Sequence, residues 1–457
     1  MSDTAMSAAG AAEPAAGLDR AASLYRAVWR WHFYAGLLVL PFMILLAVTG
    51  GLYLFRDEID DLWHRPLKVV EARATPVEAP SAWIDAALKA RPGTALKIIA
   101  PADSTASAEV VIKTAEGTRR SVYVDPYDSR VLGELPDRGT IMWLMRRLHS
   151  LAEFGTYANA IIEIVGGWSI LLVGTGFYLW WPRKQSGGVM SVRGTPRKRV
   201  LWRDLHAVTG AVAGIVIAFM SLSGMPWSLV WGEKVNEWAN GTNYGYPAGV
   251  YVDVPMSDEH LHHANGPTTW SLEQAQMPES TGSGTPIGID AAAAAVERLG
   301  ISPGYTLSLP GGASGVYSAT VYPDDLSKQR VIHLDQYTGK PLIDMSYADY
   351  GPAAKAMEWG INFHMGQEFG LANQLFLLAV CLAIILMSVS AGVMWWKRRP
   401  KGSLGVPPAP ADRSVMWGLI AIMAAVGLVF PLVGASLVVM LALDLAFGWR
   451  RTRLRTA

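Results

Sequence analysis

Cysteine is almost missing from this chain. Among 457 residues there is one, Cys381, which excludes an intramolecular disulfide, a cysteine-ligated iron–sulfur cluster and CxxCH attachment of a c-type haem. Charge is scarce as well. Asp, Glu, Lys and Arg make up 17% of the residues and avoid several long stretches almost entirely. No glycine-rich dinucleotide fingerprint is present, so the sequence offers no flavin or nicotinamide domain of the Rossmann kind. The first residues also lack an apolar signal-peptide core ahead of their basic residues. Residues 1–24 therefore read as a disordered cytoplasmic tail, and the first apolar helix as an uncleaved anchor.

What the chain does have is long apolar runs. Phe33–Phe55, Ala160–Trp181, Ala207–Trp231 and Leu371–Trp396 each exceed the roughly 20 residues that cross a bilayer as a helix. A fifth run, 416–447, is too long for one ordinary span and carries Pro431 and Gly434 near its middle. It reads as a kinked helix or a hairpin of two short helices. The net charge of +1 conceals basic clusters: Arg20, Arg26 and Arg30 before the first span, Arg183 to Arg203 after the second, Lys397 to Lys401 after the fourth, and four arginines at the end. Short Lys/Arg-rich segments stay in the cytoplasm. Both termini are then inside, and the loops 57–147 and 233–362 face out. Topology accounts for these clusters without nucleic acid as a partner.

The chain is internally duplicated. WRWHFYAG from Trp29 is repeated as WRDLHAVTG from Trp202, placing His32 against His206 and Gly36 against Gly210. Thr49-Gly50 and Ser223-Gly224 also match, with Gly50 and Gly224 each 18 residues beyond their histidine. That spacing is about five helical turns, so histidine and glycines share nearly one face. A second repeated pair aligns His149 with His364, Glu153 with Glu368, Phe154 with Phe369, Gly155 with Gly370, and Trp180-Trp181 with Trp395-Trp396. Such self-similarity outranks any single residue as a signal.

The topology puts His32 and His206 at the cytoplasmic ends of spans one and three, and His149 and His364 at the outer ends of spans two and four. Paired imidazoles near each face suit the axial positions of haem iron, one haem per pair, with small residues leaving room for a flat macrocycle. A solitary histidine at a helix end is ordinarily a wetted residue, and membrane glycines ordinarily serve helix packing. Duplication at matched positions sets this group apart. Whether each iron would be five- or six-coordinate stays open.

Each outer loop has one order of elements. In the first, a helix over 81–93 precedes strand-like runs at 96–102, 108–114 and 121–135. In the second, a helix over 289–300 precedes runs at 305–310, 316–323 and 330–344. The closing segments, VDPYDSRVLGE and LDQYTGKPLID, resemble the end of a PepSY domain. Asp125, Tyr127 and Gly133 match Asp335, Tyr337 and, loosely, Pro341-Leu342. With the histidine-bearing spans, the chain from about residue 25 to 449 resembles the PepSY-associated transmembrane family.

That resemblance implies a membrane all-α helical bundle: four core transmembrane helices plus a C-terminal hairpin or kinked helix, bearing two periplasmic α+β PepSY-like modules. The spans fall at 25–56, 148–182, 205–232 and 363–397, the modules at 57–147 and 233–362, a cytoplasmic basic loop at 183–204, and the terminal hairpin at 415–449. Family members are linked to iron uptake, and some resemble haem-containing inner-membrane reductases of ferric siderophores. The resemblance thus implies a bacterial inner-membrane protein with two b-type haems, with His32, His206, His149 and His364 as iron ligands and Gly36, Gly50, Gly210 and Gly224 beside them. A ferric siderophore or other periplasmic acceptor would take the electrons. With no donor domain in the chain, a cytoplasmic reductase or a membrane quinol would supply them. Two rivals stand beside this reading. One is a membrane-anchored sensor binding a periplasmic peptide or protease. The other is a transporter of iron chelates, which would favour polar groups near the bilayer midplane.

Other residues invite a role. The second outer loop is about 41 residues longer than the first. Its extra stretch within 233–285 contains Met256, His260, His262, His263, Trp270 and Met277, fit either to touch a metal or ligand or to pack as an irregular loop. Glu163 is an acid inside a span, a site for proton handling, quinol contact or a packing hydrogen bond. His64 is a surface residue or a neighbour of the outer haem or substrate, His333 a surface residue of a strand. Asp444 pairs with a terminal arginine. The tryptophan pairs at the span ends form an aromatic belt.

Overall fold

The computed structural model describes residues 13–182, 189–240, 245, 256–260, 276–407 and 413–442. The chain divides into two compact units. A membrane unit takes Met1–Val48, His149–Trp231 and Leu378–Ala457, and a sheet unit takes Thr49–Leu148 and Gly232–Leu377.

Four helices among the described residues are long and apolar enough to cross a membrane: Ala21–Tyr53, Tyr157–Trp180, Arg199–Trp227 and Leu371–Arg398. They lie within α1 (Glu13–Tyr53), α6 (Thr156–Trp180), α7 (Arg199–Gly224, with a 3₁₀ turn to Trp227) and α11 (Leu371–Arg398). Helix α1 starts at Glu13, which corrects the expected disordered tail to residue 24. Pro14 in the first turn and a run of Ala, Leu and Arg, all good helix formers, carry the span's register backwards. Two shorter helices, α12 (Arg413–Val429) and α13 (Pro431–Ala442), follow. Pro431 ends the first of them. A side chain added at Gly427 would stand 2.8 Å from the Gly434 Cα, so the chain doubles back in a tight hairpin.

Packing in this unit uses small residues. Ala35 and Val39 of α1, Val165 and Trp168 of α6, and Phe430, Val433 and Leu437 form one core cluster; Ala47, Ala213, Ile217, Val380 and Ile384 form a second. Gly167 admits Val433 at a distance no side chain would allow, and the Trp168 indole donates to Ser436 at 2.9 Å. Within a membrane such close approach, rather than hydrophobicity, holds helices together.

In the sheet unit, β1 (Thr94–Ile99), β2 (Ala108–Lys113), β3 (Arg119–Val124) and β4 (Val131–Pro136) come from the first long loop, 57–147. The second supplies a separate ribbon, β5 (Met256–His260) and β6 (Gln276–Pro278), and then β7 (Thr306–Ser308), β8 (Val316–Val321), β9 (Arg330–Asp335) and β10 (Pro341–Ser346). The strands fall where alternation in the sequence puts them. Their assembly differs from the expected pair of modules: one eight-stranded antiparallel sheet runs β10-β9-β8-β7-β1-β2-β3-β4. The halves join where Ile98 pairs with Leu307, Lys97 with Ser308 and Ile99 with Thr306. Each half alone would leave β1 or β7 as a bare edge, and pairing them satisfies both rows of backbone groups.

Helices α4 (Pro80–Ala90) and α9 (Ile289–Arg298) cover one face of the sheet. Trp83, Ile84 and Ala87 of α4 and Ala292 and Val296 of α9 pack on Ile98, Val110, Leu307, Ile332 and Leu334 in a single core. Burying each large aliphatic side chain contributes roughly 2 kcal/mol. Asp290 at the start of α9 accepts from the Ser81 backbone at 2.8 Å and from its hydroxyl at 2.6 Å, so the first turn of one helix caps the other.

Candidate cofactor-ligating site

The structure brings His32 and His206 together. Their ring centroids are 6.3 Å apart and their planes cross at 85°. The two half-buried imidazoles stand on α1 and α7, matched helices of the duplication. Each ring is anchored through Nδ1 to the helix that follows in its own repeat: His32 to the Thr175 hydroxyl of α6 at 2.9 Å, and His206 to the Met387 carbonyl of α11 at 3.0 Å.

These bonds fix the tautomers. A carbonyl only accepts, so Nδ1 of His206 carries the proton. Thr175 Oγ1 lies 2.7 Å from the Leu171 carbonyl. Two oxygens that close need a hydrogen between them, and the hydroxyl supplies it. Thr175 therefore accepts from His32, whose Nδ1 also carries the proton. Both rings are left with a lone pair on Nε2, the state in which imidazole binds a metal.

The sequence missed the anchors, although the repeat contains them. The alignment that equates His149 with His364 also equates Leu172 with Met387 and Thr175 with Ser390. Ser390 is fully buried, and its hydroxyl donates to the Met387 carbonyl at 2.8 Å. Gly36 and Gly210 repeat a contact too. A side chain added there would meet Leu172 at 4.0 Å and Met387 at 3.4 Å respectively. Both distances are ordinary van der Waals contacts, so the repeat keeps the neighbour rather than a close approach. Gly50 lies within α1, where its carbonyl accepts from Leu54 at 3.0 Å, and Gly224 is the last residue of α7.

His149 and His364 sit differently from expectation. Neither lies on a span: each ends a short preceding helix, α5 (Ile141–His149) or α10 (Pro352–His364). Both helices stop before a glycine in the left-handed region, Gly155 at φ 97° and Gly370 at φ 54°, and the spans begin beyond it. Positive φ is what only glycine adopts freely, so these matched glycines serve a backbone break. His149 belongs to the membrane unit, where it hydrogen-bonds the Leu46 carbonyl of α1. His364 belongs to the sheet unit.

The remaining candidates resolve into structural roles. His64 Nε2 accepts from the Ile141 N–H at 3.1 Å and Asp60 accepts from Met142 at 3.1 Å, so together they cap α5. His333 is not a surface residue. It is 1% exposed, its Nδ1 lies 2.8 Å from the Ser318 hydroxyl, and burial lowers its pKa to about 4. Glu163 is fully buried. Its Oε2 accepts from the Val230 and Trp231 N–H groups at 2.8 and 3.3 Å, capping α8 (Trp231–Asn240) where Met225-Pro226 has ended the preceding span. Met277 is buried against Val331 and Ile343. His262, His263, Trp270 and Asp444 lie outside the described residues, as do the side chains of Met256 and His260.

The motif shared by the two loops is a turn device. Asp125 accepts from the Tyr127 N–H at 3.0 Å and Asp335 from the Tyr337 N–H at 2.9 Å. The tyrosine hydroxyls then reach back to the carbonyls of Ser104 and Ala313, both at 2.8 Å. Burial would raise the Asp335 carboxyl, but backbone N–H groups of Thr338, Tyr337, Gly282 and Thr281 hold it at about 2.

Four apolar spans on a duplicated frame, a paired-histidine site between matched helices and an antiparallel sheet inserted in two halves define a polytopic membrane protein built by duplication. A family model described as the PepSY-associated TM region matches residues 29–398. The chain belongs to that family, as its Asp-x-Tyr turns and histidine repeats indicated. No curated protein is significantly similar to it.

Proposed function

We propose that this protein carries electrons across a bacterial inner membrane through b-type haem, with His32 and His206 as the residues that would hold the iron of one haem. The observation that carries the reading is the spacing and protonation of that pair. A metal about 2 Å from each imidazole nitrogen, with roughly 1 Å more to each ring centre, would hold two centroids about 6 Å apart; they are 6.3 Å apart. Two neutral rings, each anchored through Nδ1–H, form a donor set suited to a single iron. His149 and His364 enter as ligands of a second haem on the strength of the repeat alone.

When bound, haem supplies reversible one-electron chemistry at its iron. The chain's own residues set its conditions. α1 and α7 present the ligands, α6 and α11 orient them through Thr175 and Met387, and the apolar spans keep water from the site. The basic segments after the second and fourth spans favour the cytoplasmic side for the His32–His206 end. The acceptor class that family resemblance suggests is ferric iron in a siderophore. One electron per ion, drawn from a membrane quinol or a reductase partner, yields ferrous iron, a weaker partner for hard oxygen ligands. A sensor or a chelate transporter would leave the anchored histidine pair without work.

The test is the visible spectrum of detergent-purified protein, oxidised and dithionite-reduced, with pyridine-haemochrome quantification. Two b-type haems per chain, with one lost in His32→Ala or His206→Ala, is the expected result. A protein that stays colourless under haem-replete expression overturns the reading.

A further inference from the structure

The hydroxyls of Thr175 and Ser390 stand at one position of the repeat, yet they meet the histidines in different ways. In the first copy the hydroxyl lies between ring and backbone: His32 Nδ1–H donates to Thr175, which donates onward to Leu171 at 2.7 Å. In the second the ring bypasses the hydroxyl: His206 Nδ1–H and Ser390 both donate to the Met387 carbonyl, at 3.0 and 2.8 Å. We infer that Thr175 and Ser390 are positioning residues that act in opposite senses on the two axial ligands, Thr175 strengthening the donor character of His32 and Ser390 moderating that of His206. The inference rests on the haem reading above.

The chemistry follows from hydrogen bonding. An acceptor at Nδ1–H draws the proton away from the ring and makes Nε2 more electron-rich, which favours the ferric state. A hydroxyl already donating to a carbonyl is polarised and accepts more strongly, so Thr175 is a better acceptor because of its bond to Leu171. At Met387 the order is reversed. The carbonyl, already bonded in its helix ladder, takes two further donors, and each of these bonds is weaker for the presence of the other. The anchors also fix ring rotation. With the imidazole planes crossed at 85°, the two π-bonding iron orbitals stay nearly equal in energy, and a low-spin ferric centre gives a single strongly anisotropic EPR feature at high g.

The experiment is a spectroelectrochemical titration with EPR of the full-length, haem-loaded protein and of Thr175→Val, Thr175→Ser and Ser390→Ala. The expected result is a higher midpoint potential for one haem in Thr175→Val, with its high-g feature moving toward an ordinary rhombic spectrum, and recovery of both in Thr175→Ser. Ser390→Ala is expected to lower the same potential, since one donor competing with His206 for the Met387 carbonyl is then removed. Loss of that haem in Thr175→Val with retention in Thr175→Ser also supports the assignment. Unchanged potential and spectrum in haem-replete Thr175→Val, or shifts of the same sign in Thr175→Val and Ser390→Ala, overturn it. A wild-type chain without haem overturns the electron-transfer reading and this inference with it, an outcome the spectrum separates from the other two.

Discussion

The membrane unit and the sheet unit carry the same duplication and have kept different things from it. In the membrane helices the chemistry is repeated: His32 and His206, Gly36 and Gly210, Thr175 and Ser390 all stand at matched positions. In the sheet the backbone is repeated and the chemistry is not. Asp125 and Asp335 close the same turn, yet Tyr123 on β3 corresponds to His333 on β9, and only the histidine pairs with a serine across the strands. On the proposed haem reading, a pair of helices that supplies two ligands to one centre constrains both copies. In the sheet the turn and core positions match between the halves, while positions such as Tyr123 and His333 differ.

The sharpest way to break this comparison is to remove a repeated group. His32→Ala or His206→Ala should cost one haem equivalent per chain by pyridine haemochrome, whereas His333→Gln should cost none. Loss of haem from His333→Gln would assign chemistry to the sheet. The next effect is at Glu163, which has no acidic counterpart because the aligned residue is Leu378. Glu163→Leu leaves the Val230 and Trp231 N–H groups buried without an acceptor. It should lower stability by about 4 kcal/mol at most, while Glu163→Gln, which keeps an acceptor oxygen, should stay near wild type in thermal unfolding in detergent. Similar large losses in both would instead indicate a need for the charge.

Two smaller effects test the sheet by pH. His333 has its folded pKa lowered to about 4, so the folded protein resists a proton that the unfolded chain accepts from about pH 6.5. Stability should fall by about 3 kcal/mol as pH drops from 6.5 to 4 and change no further from this source below that. His333→Gln should flatten the drop in denaturant melts at pH 7 and pH 4. Asp335 is opposite in sign. Its depressed pKa of about 2 gives stability that is complete above about pH 4 and lost as pH falls toward 2, about 2 kcal/mol in all. Asp335→Asn should forfeit that amount at neutral pH and melt with a weaker acid dependence.

Much of this was legible in the sequence. Four long apolar runs can be satisfied only by membrane helices, and the matched spacing of His32 and His206 foretold a pair that the structure places in contact. The strands near 96–102, 108–114 and 316–323 followed from alternation. Three features were hidden for physical reasons. The junction of β1 with β7 joins residues some 200 positions apart, and no local pattern encodes a distant edge. Thr175 was visible in the repeat alignment, but a hydroxyl inside a membrane helix usually bonds only its own backbone, as Thr175 also does. The breaks before α6 and α11 turn on the φ angles of Gly155 and Gly370, and no local sequence pattern tells such a glycine from a helical one. His333 looked exposed because a polar residue between Ile332 and Leu334 reads as the outward position of an alternating strand, whereas that face of the sheet is itself covered by Met277, Tyr350 and Ala354.

The seam between β1 and β7 has a consequence for biosynthesis. β1 emerges from the ribosome some two hundred residues ahead of β7, and two membrane-crossing helices, α6 and α7, must be threaded between them. The first four strands therefore wait with one edge unzipped until both helices and β7 have been made. For that interval the nascent chain offers a ready template to any passing strand. Rapid synthesis of the intervening helices, or a holdase on that edge, would shorten or cover the exposure.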